Sequence, residues 1–306
     1  MTSRITVVGI GASAGGIQAF EAFFRSMPAN SGMAFVILLH LPADRKSMLR
    51  EILARRTPMN VVDAQDGTLI APDSVFIPPP HTLVSLADGR LRVSSPLTCE
   101  ERTFLPIDTF FDSLAACLKD AAVGIVLSGT GSDGALGLKA IKEAGGLTVA
   151  QGSDGTAPQY PEMPEGAIAM GSVDLVASVE DIPGHLLRMM SYTDHASKKP
   201  EASETDACRL EICAILRSRL GHDFSGYRSA TFLRRVERRM QVVGATTLSD
   251  YVAKLKSIPI EATLLFRDLL IRVTSFFRDP EIFEVLEQKV IPALFEDKGA
   301  DGAVRV

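Results

Sequence analysis

Apolar positions in the first 190 residues alternate between two kinds of spacing. Continuous β-branched runs, such as "ITVVGIG" at 5–11 and "MAFVILLH" at 33–40, are typical of buried strands. Between them, "GGIQAFEAFFRSMP" carries its apolar residues at helical spacing and ends at Pro28. Apolar strands separated by helices favour a parallel sheet covered on both faces, so the pattern predicts an α/β fold.

The same alternation continues along the chain. Residues 44–56 predict an amphipathic helix with Asp44 as its N-cap, and Asp88-Gly89 lies between two alternating runs as the turn of a β-hairpin. After this hairpin, helices and strands alternate again over 107–119, 122–129, 134–145 and 147–151. The fold class predicted is α/β, a doubly wound and mostly parallel sheet with a β-hairpin, followed by a small all-α domain.

The boundary between these parts is placed by composition. Residues 191–206, "SYTDHASKKPEASETD", lack apolar periodicity and are rich in polar residues, which predicts a linker. Beyond it only helical patterns follow, and two of them stop at glycines, Gly221 and Gly244. The predicted organisation is an α/β domain over 1–190, a linker, and a helical part over 207–306.

Composition excludes several classes of protein. The chain of 306 residues is 46% hydrophobic and 23% charged, as in globular proteins with a core, and its net charge of −5 gives no general attraction to nucleic acid. No apolar run approaches the roughly 20 residues of a membrane helix, and the N-terminus has no room for a signal peptide. Cys117 and Cys208 lie in apolar-patterned segments and are expected to be reduced core thiols. A cytoplasmic location without membrane insertion is predicted.

Two chemistries fit the stretch "GIGASAGG" at 9–16. Gly9, Gly11 and Ala14 match the dinucleotide fingerprint G-x-G-x-x-G/A. Ser13, between Gly11 and Gly15, matches the nucleophile elbow G-x-S-x-G. The two interpretations differ in whether the turn after the first strand binds a pyrophosphate or presents a serine hydroxyl.

The ends of the other strands favour the serine. A dinucleotide site requires an acidic residue at the end of the second strand, but His40 stands there. A histidine is instead the base that a serine nucleophile needs. The third strand leads into "TGSDG", which supplies Asp133, and functional groups gather at the carboxyl ends of parallel strands. Ser13, His40 and Asp133 are therefore the predicted catalytic residues, with no metal, although a loop serine, a strand-end histidine and a turn aspartate are each common without any catalytic role.

Four motifs then carry a resemblance to a known family. "GASAGG", "LLHLPAD", "LSGTGSDGALG" and "PQYPEMPEGAIAMGSVD" are similar to the signatures of the chemotaxis receptor methylesterase family, CheB, over residues 5 to about 190. The resemblance implies hydrolysis of γ-glutamyl methyl esters on chemoreceptor helices, and deamidation of selected glutamines, without a cofactor. It implies Ser13 as nucleophile, His40 as general base and then acid, and Asp133 as the orienting carboxylate. Ala14 and Thr130 differ from the residues frequent in the family, and this leaves the oxyanion and substrate contacts open.

The helical part resembles a second family. "RSATFLRRVERRM" and "LLIRVTSFFRDPEIF" are similar to the N-terminal helical domain of the chemotaxis receptor methyltransferase family, CheR. The resemblance implies that Thr274 and Arg278 contact S-adenosylmethionine, in the full-length fusion only. The chain stops at "GAVRV", where the family's cofactor-binding domain begins, and starts just before the first strand, where a receiver domain usually precedes. A truncated CheB–CheR fusion with an incomplete methyltransferase part is expected.

One segment of this part is unusually basic. Residues 207–243 hold eight arginines and three acidic residues, a local charge of +5. Four of the arginines, Arg234, Arg235, Arg238 and Arg239, are predicted to dock an acidic partner, a chemoreceptor helix or a related signalling protein, while an ordinary solvated face is the alternative. No aromatic residues are interleaved for base stacking, so nucleic acid is not the predicted partner.

Two function classes remain open at this point. The first is a serine esterase acting on receptor glutamyl esters. The second is a non-catalytic signalling scaffold that retains both folds and binds receptor or sensor partners.

Overall fold

The chain divides into two compact units. The first comprises 1–200 with 240–246, and the second comprises 201–239 with 247–306. The computed structural model describes residues 5–40, 48–95, 104–195, 202–270 and 286–291.

A seven-stranded parallel sheet forms the centre of the first unit, in the order β3-β4-β2-β1-β7-β8-β9. Its strands are β1 Val7–Ala12, β2 Ala34–Leu39, β3 Asn60–Asp63, β4 Ser74–Ile77, β7 Ala122–Val126, β8 Leu147–Gln151 and β9 Leu175–Ala177. The chain leaves β1 toward β2 on one side and later returns to place β7 on the other. This reversal of winding confirms the doubly wound α/β fold predicted from the sequence.

Helices cover both faces of this sheet, and each face has its own apolar core. The helices are α1 Gly16–Ser26, α2 Leu49–Ala54, α3 Pro106–Leu118, α4 Ala135–Ala144, α5 Glu162–Ala169 and α6 Ile182–His195. Residues of α1, α2 and α6 share one core with Val8 and Ile10, whereas residues of α3, α4 and α5 share the other with Val7. Successive side chains of a strand point to opposite faces, and this divides the core as observed.

The glycines of β1 allow α3 to lie unusually close to the sheet. A Cβ atom at Gly11 would stand 2.5 Å from Ile107 Cγ2, and one at Gly9 would stand 2.8 Å from the Phe111 ring. Contacts that short do not occur between real side chains, so both positions require the absence of a side chain. Two glycines of the apparent dinucleotide fingerprint therefore have a packing role.

The predicted hairpin is confirmed. β5 Leu83–Ala87 and β6 Arg90–Ser94 pair antiparallel in a separate two-stranded sheet. Asp88 and Gly89 connect them with φ of 50° and 70°. Positive φ at both central residues is the signature of the tight hairpin turn that Asp-Gly favours.

The second unit is helical in its described part. Its helices are α7 Ala202–Leu220, α8 Ser229–Val243 as far as Arg239, α9 Leu248–Ser257 and α10 Pro259–Leu269, and a π-helical turn covers Leu286–Val290. Gly221 and Gly244 both have positive φ directly after α7 and α8, as predicted for helix ends.

The boundary between the two units, after Pro200, lies within the predicted linker 191–206, but both ends of that segment are helical. Helix α6 continues through 191–195, and α7 already includes 202–206. Absence of apolar periodicity does not prevent a helix: residues 191–195 continue a helix that begins at Ile182, and Ala202 and Glu204 are good helix formers.

Two further expectations can be compared with the structure. Cys208 is buried as predicted, but Cys117 is exposed and donates a weak hydrogen bond to the Leu86 carbonyl, so the prediction of a core thiol was wrong there. None of the described helices is both long and apolar enough to cross a membrane. Asp44, predicted as an N-cap, lies outside the described residues.

Candidate active site

Ser13, His40 and Asp133 come from three neighbouring strands at one edge of the sheet. Ser13 directly follows β1, His40 directly follows β2, and Asp133 lies in the loop between β7 and α4. Because β1 is paired in parallel with both β2 and β7, the three carboxyl ends meet at the same edge. This is also the point where the winding of the sheet reverses, which is where open α/β sheets place their sites.

A tight turn carries Ser13 from β1 into α1. The Ser13 amide donates to the Ser128 carbonyl at 3.0 Å, and the Gly16 amide donates to the Ser13 carbonyl at 2.9 Å. Gly15, between them, has φ of 73°, a left-handed conformation that side chains other than glycine rarely adopt. The turn leaves Ser13 partly exposed at the start of α1, as the nucleophile-elbow interpretation predicted.

His40 and Asp133 are in direct contact. His40 Nε2 lies 2.8 Å from Asp133 Oδ2, and the His40 side chain is 29% exposed whereas Asp133 is only 3% exposed. With the carboxylate as acceptor, Nε2 carries the proton of a neutral ring, and Nδ1 is the nitrogen left to accept one. This pairing is the one by which an aspartate fixes the tautomer of a catalytic base.

The buried Asp133 carboxylate is itself held by the first turn of α3. Its Oδ2 accepts from the Ile107 amide at 3.0 Å, and its Oδ1 accepts from the Asp108 amide at 2.9 Å. Amides in the first turn of a helix have no partner within the helix, and the helix dipole favours a negative charge there. The N-terminus of α3 therefore fixes the position and direction of the Asp133 carboxylate.

The other contact of a complete triad, between serine and histidine, is not formed. Within the described part of the chain, no hydrogen bond joins the Ser13 hydroxyl to His40. Catalytic hydrogen bonds are often long without substrate and tighten in the reacting complex. The serine–histidine contact stays a prediction.

Asp108 is a site residue that the sequence analysis missed. Its Oδ1 accepts from the Gly137 amide at 2.7 Å, in the first turn of α4. Burial raises the pKa of Asp108 to about 6; the Gly137 hydrogen bond opposes this rise, and the charge of Asp133 adds to it. Asp133, which precedes α4, thus binds the start of α3, while Asp108 in α3 binds the start of α4. The acidic residue after Pro106 was a visible signal of a helix start, but its partner helix was not visible.

Comparison with known proteins identifies the first unit. A family model described as CheB methylesterase matches residues 8–186, more than half of the chain. The chain belongs to the CheB methylesterase family. A second model, described as the all-alpha domain of CheR methyltransferase, matches residues 210–270.

Individual relatives agree with this assignment. The CheB-family chain is 34% identical over 282 residues to an uncharacterized 104.1 kDa protein of Rhodobacter capsulatus, covering 84% of this chain and 29% of that protein. It is 33% identical over 189 residues to protein-glutamate methylesterase/protein-glutamine glutaminase 3 of Geobacter sulfurreducens, covering 60% of this chain and 50% of that protein. The chain thus spans half or less of the length of these two relatives.

A solved structure supports the fold. The catalytic domain of the Thermotoga maritima CheB methylesterase matches with a TM-score of 0.55 and 25% identity, over 61% of this chain and 99% of that domain.

In the part that resembles CheR, the predicted arginine surface needs a correction. Arg238 and Arg239 are only 8% and 3% exposed, so the prediction that all four arginines form a docking surface was wrong for these two. Arg235 is partly buried, and the side chain of Arg234 lies outside the described residues. Phe232 and Val236 of α8 are fully buried, and Arg239, three residues after Val236 and seven after Phe232, lies on the same face of the helix.

The reason is a buried ion pair within the second unit. Arg239 donates from Nε to Glu261 Oε1 at 2.9 Å and from Nη2 to Oε2 at 2.6 Å, and the Tyr251 hydroxyl donates to the same carboxylate at 2.9 Å. Burial alone would lower the pKa of Arg239, but the Glu261 carboxylate raises it on balance, so the arginine stays charged. Burial and the nearby Glu261 both raise the pKa of Tyr251, which keeps its proton as donor.

The predicted cofactor residues cannot be compared with the structure. Thr274 and Arg278 lie outside the described residues.

Proposed function

We propose that the first unit is a protein-glutamate methylesterase that hydrolyses γ-glutamyl methyl esters with Ser13 as nucleophile. The observation that carries the proposal is the His40–Asp133 pair, joined at 2.8 Å at the sheet edge where Ser13 emerges from β1. A serine hydroxyl gains nucleophilicity only when a base takes its proton, and a base works best when a third group orients it.

In the first half of the reaction, Ser13 Oγ attacks the ester carbonyl carbon while His40 Nδ1 accepts the hydroxyl proton. Asp133, which its two amide hydrogen bonds hold in place, stabilises the imidazolium that forms. Collapse of the tetrahedral intermediate breaks the bond to the methoxy oxygen. His40 returns the proton to that oxygen, methanol leaves, and a glutamyl–Ser13 ester remains.

The oxyanion of the intermediate needs donors at the start of α1. The Ser13 and Gly16 amides are already engaged, with the Ser128 and Ser13 carbonyls. Within the turn that carries Ser13, the amides of Ala14 and Gly15 donate to no other described residue, and we assign these two as the donors. Backbone amides fixed before the reaction are the usual source of such stabilisation.

In the second half, His40 takes a proton from water, and the water oxygen attacks the carbonyl carbon of the glutamyl–Ser13 ester. The bond to Ser13 Oγ breaks, His40 returns the proton to that oxygen, and the glutamate side chain of the substrate protein is released. Glutamine deamidation follows the same course, with ammonia as the first leaving group. The Geobacter relative carries both activities in its name. We propose the cytoplasmic helices of a chemoreceptor, or a related signalling protein, as the macromolecular substrate.

Labelling with a serine-directed fluorophosphonate tests the proposal. The 306-residue chain is expected to take up one phosphonate per molecule at Ser13, located by peptide mass spectrometry. Ser13→Ala should take up none and His40→Gln should react far more slowly, whereas Ser95→Ala, at an exposed serine, should react as wild type. Absence of labelling in the folded wild-type protein would instead favour the non-catalytic scaffold.

A further inference from the structure

Ser128, in the loop after β7, lies where three segments of the first unit meet. It is 1% exposed. Its carbonyl accepts from the Ser13 amide, and its own amide donates to Gln151 Oε1 at 3.0 Å. Neither the sequence motifs nor the proposed mechanism gives this residue a task.

The Ser128 hydroxyl uses its donor and its acceptor on two different segments. It donates to the Ala14 carbonyl at 2.9 Å, and it accepts from the Tyr160 amide at 3.0 Å. A hydroxyl is among the few small groups that can do both at once. Replacement by a methyl group would leave one carbonyl and one amide in this part-buried site without that partner.

The bond to the Ala14 carbonyl also fixes an amide. The peptide between Ala14 and Gly15 is planar and trans, so its C=O and N–H point in opposite directions. Holding the carbonyl toward Ser128 therefore directs the Gly15 N–H away from it. That N–H is one of the two donors assigned above to the oxyanion.

The Ser128 hydroxyl lies very close to the turn that carries Ser13. A Cβ atom at Gly15 would stand 2.6 Å from Ser128 Oγ, so the hydroxyl reaches this peptide only because residue 15 is glycine. On its other side, Gln151 binds the Thr156 carbonyl through Nε2 at 3.3 Å, which ties the loop over 152–161 to the same point. The nucleophile turn and this loop are thus connected through Ser128.

We propose that Ser128 is a positioning residue of the esterase, whose hydroxyl sets the orientation of the Ala14–Gly15 peptide and hence the oxyanion donor at Gly15. The proposal rests on the proposed function and deepens it. Ser128 touches no reacting atom and acts through the backbone of the nucleophile turn.

Three variants in the full chain test this. Ser128→Ala removes the hydroxyl, and Ser128→Thr keeps it. Ser172→Ala is the matched control, because Ser172 is also 1% exposed but its hydroxyl has no hydrogen-bond partner among the described residues. The readouts are the rate constant for phosphonate labelling of Ser13, and kcat and KM for methyl ester hydrolysis, all measured well below each variant's unfolding temperature.

Ser128→Ala is expected to lose about tenfold or more in the labelling rate and in kcat, with KM within about threefold of wild type, because loss of one oxyanion donor acts on the transition state. Ser128→Thr should recover most of both rates, and Ser172→Ala should behave as wild type. If Ser128→Ala does not fold, Ser128→Cys, a weaker donor and acceptor of hydrogen bonds, takes its place with the same expected direction.

Wild-type rates in Ser128→Ala or Ser128→Cys would overturn the proposal, as would a loss confined to KM or an equal loss in Ser172→Ala. A wild-type protein that neither reacts with phosphonate nor hydrolyses the ester would overturn the proposed function itself. An active wild type with an equally active Ser128→Ala would overturn only the role of Ser128.

Discussion

Removing the Asp133 side chain should cost stability as well as activity, which distinguishes it from Ser13. In Asp133→Ala, three hydrogen-bond donors lose the carboxylate that accepts from them: the His40 ring, the Ile107 amide and the Asp108 amide. Both amides belong to buried residues in the first turn of α3, and neither has an intrahelical partner.

The magnitude follows from these two bonds. Loss of a side-chain cap costs about 0.5–2 kcal/mol, and each hydrogen bond to a charged group contributes about 1.5–3 kcal/mol. One effect opposes this loss, because the charge of Asp133 adds to the raised pKa of Asp108 and its removal relieves that repulsion. We therefore expect Asp133→Ala to lower the free energy of unfolding of the first unit by about 2–3 kcal/mol.

The assay is urea unfolding, monitored through the hydrogen exchange of peptides from Pro106–Leu118. A local probe is needed because the chain has two units, and a global signal would mix their unfolding transitions. Ser13→Ala is the control. The Ser13 hydroxyl makes no hydrogen bond to another described residue, so its loss should change stability by less than about 0.5 kcal/mol while abolishing turnover. Equal stability of the two variants would refute the anchoring of Asp133 by α3.

Two further predictions concern buried charges. Because burial raises the pKa of Asp108 to about 6, above its usual 3.8, folding disfavours its ionised form, and the wild type loses stability as the pH rises from about 4 to about 6. The free energy of unfolding of Asp108→Asn, measured in urea, should therefore rise relative to that of the wild type by about 1–3 kcal/mol between pH 4 and pH 7. A difference in stability between the two proteins that does not change with pH would contradict this. In the second unit, Arg239→Met should lower the free energy of unfolding by about 3–5 kcal/mol, because it leaves the Glu261 carboxylate buried without its arginine partner. Arg217→Met, which breaks the exposed pair with Asp223, should lower the free energy of unfolding far less, and equal losses in calorimetry would show that burial does not matter here.

The sheet edge was predictable from the sequence for a physical reason. In a parallel sheet the residue after each strand lies at the same edge whatever the register, so Ser13, His40 and Asp133 could be placed near one another from strand ends alone. The hairpin was predictable because Asp88-Gly89 is a local signal that needs no distant partner.

The supporting residues were not predictable, because their partners are distant in sequence. Asp108 and Gly137 are 29 residues apart, and Ser128 and Ala14 are 114 apart. Periodicity gives the face of one element, but it does not say which backbone amide or carbonyl another element will present to that face.

The arginine helix shows the same limit. All four arginines of α8 were predicted to dock an acidic partner, with a solvated face as the alternative. Glu261, 22 residues after Arg239, belongs to α10, and its bidentate bonds bury Arg239 within the helical unit. An arginine can be satisfied inside a protein when a carboxylate meets it, and charge counting along one helix cannot reveal this.

Methanol release from a methylated chemoreceptor fragment tests the central claim most directly. The wild-type chain is expected to release one methanol for each glutamyl ester it cleaves, and Ser13→Ala should release none above the uncatalysed rate while Ser95→Ala matches the wild type. Continued methanol release by folded Ser13→Ala would contradict the assignment of Ser13 as the nucleophile.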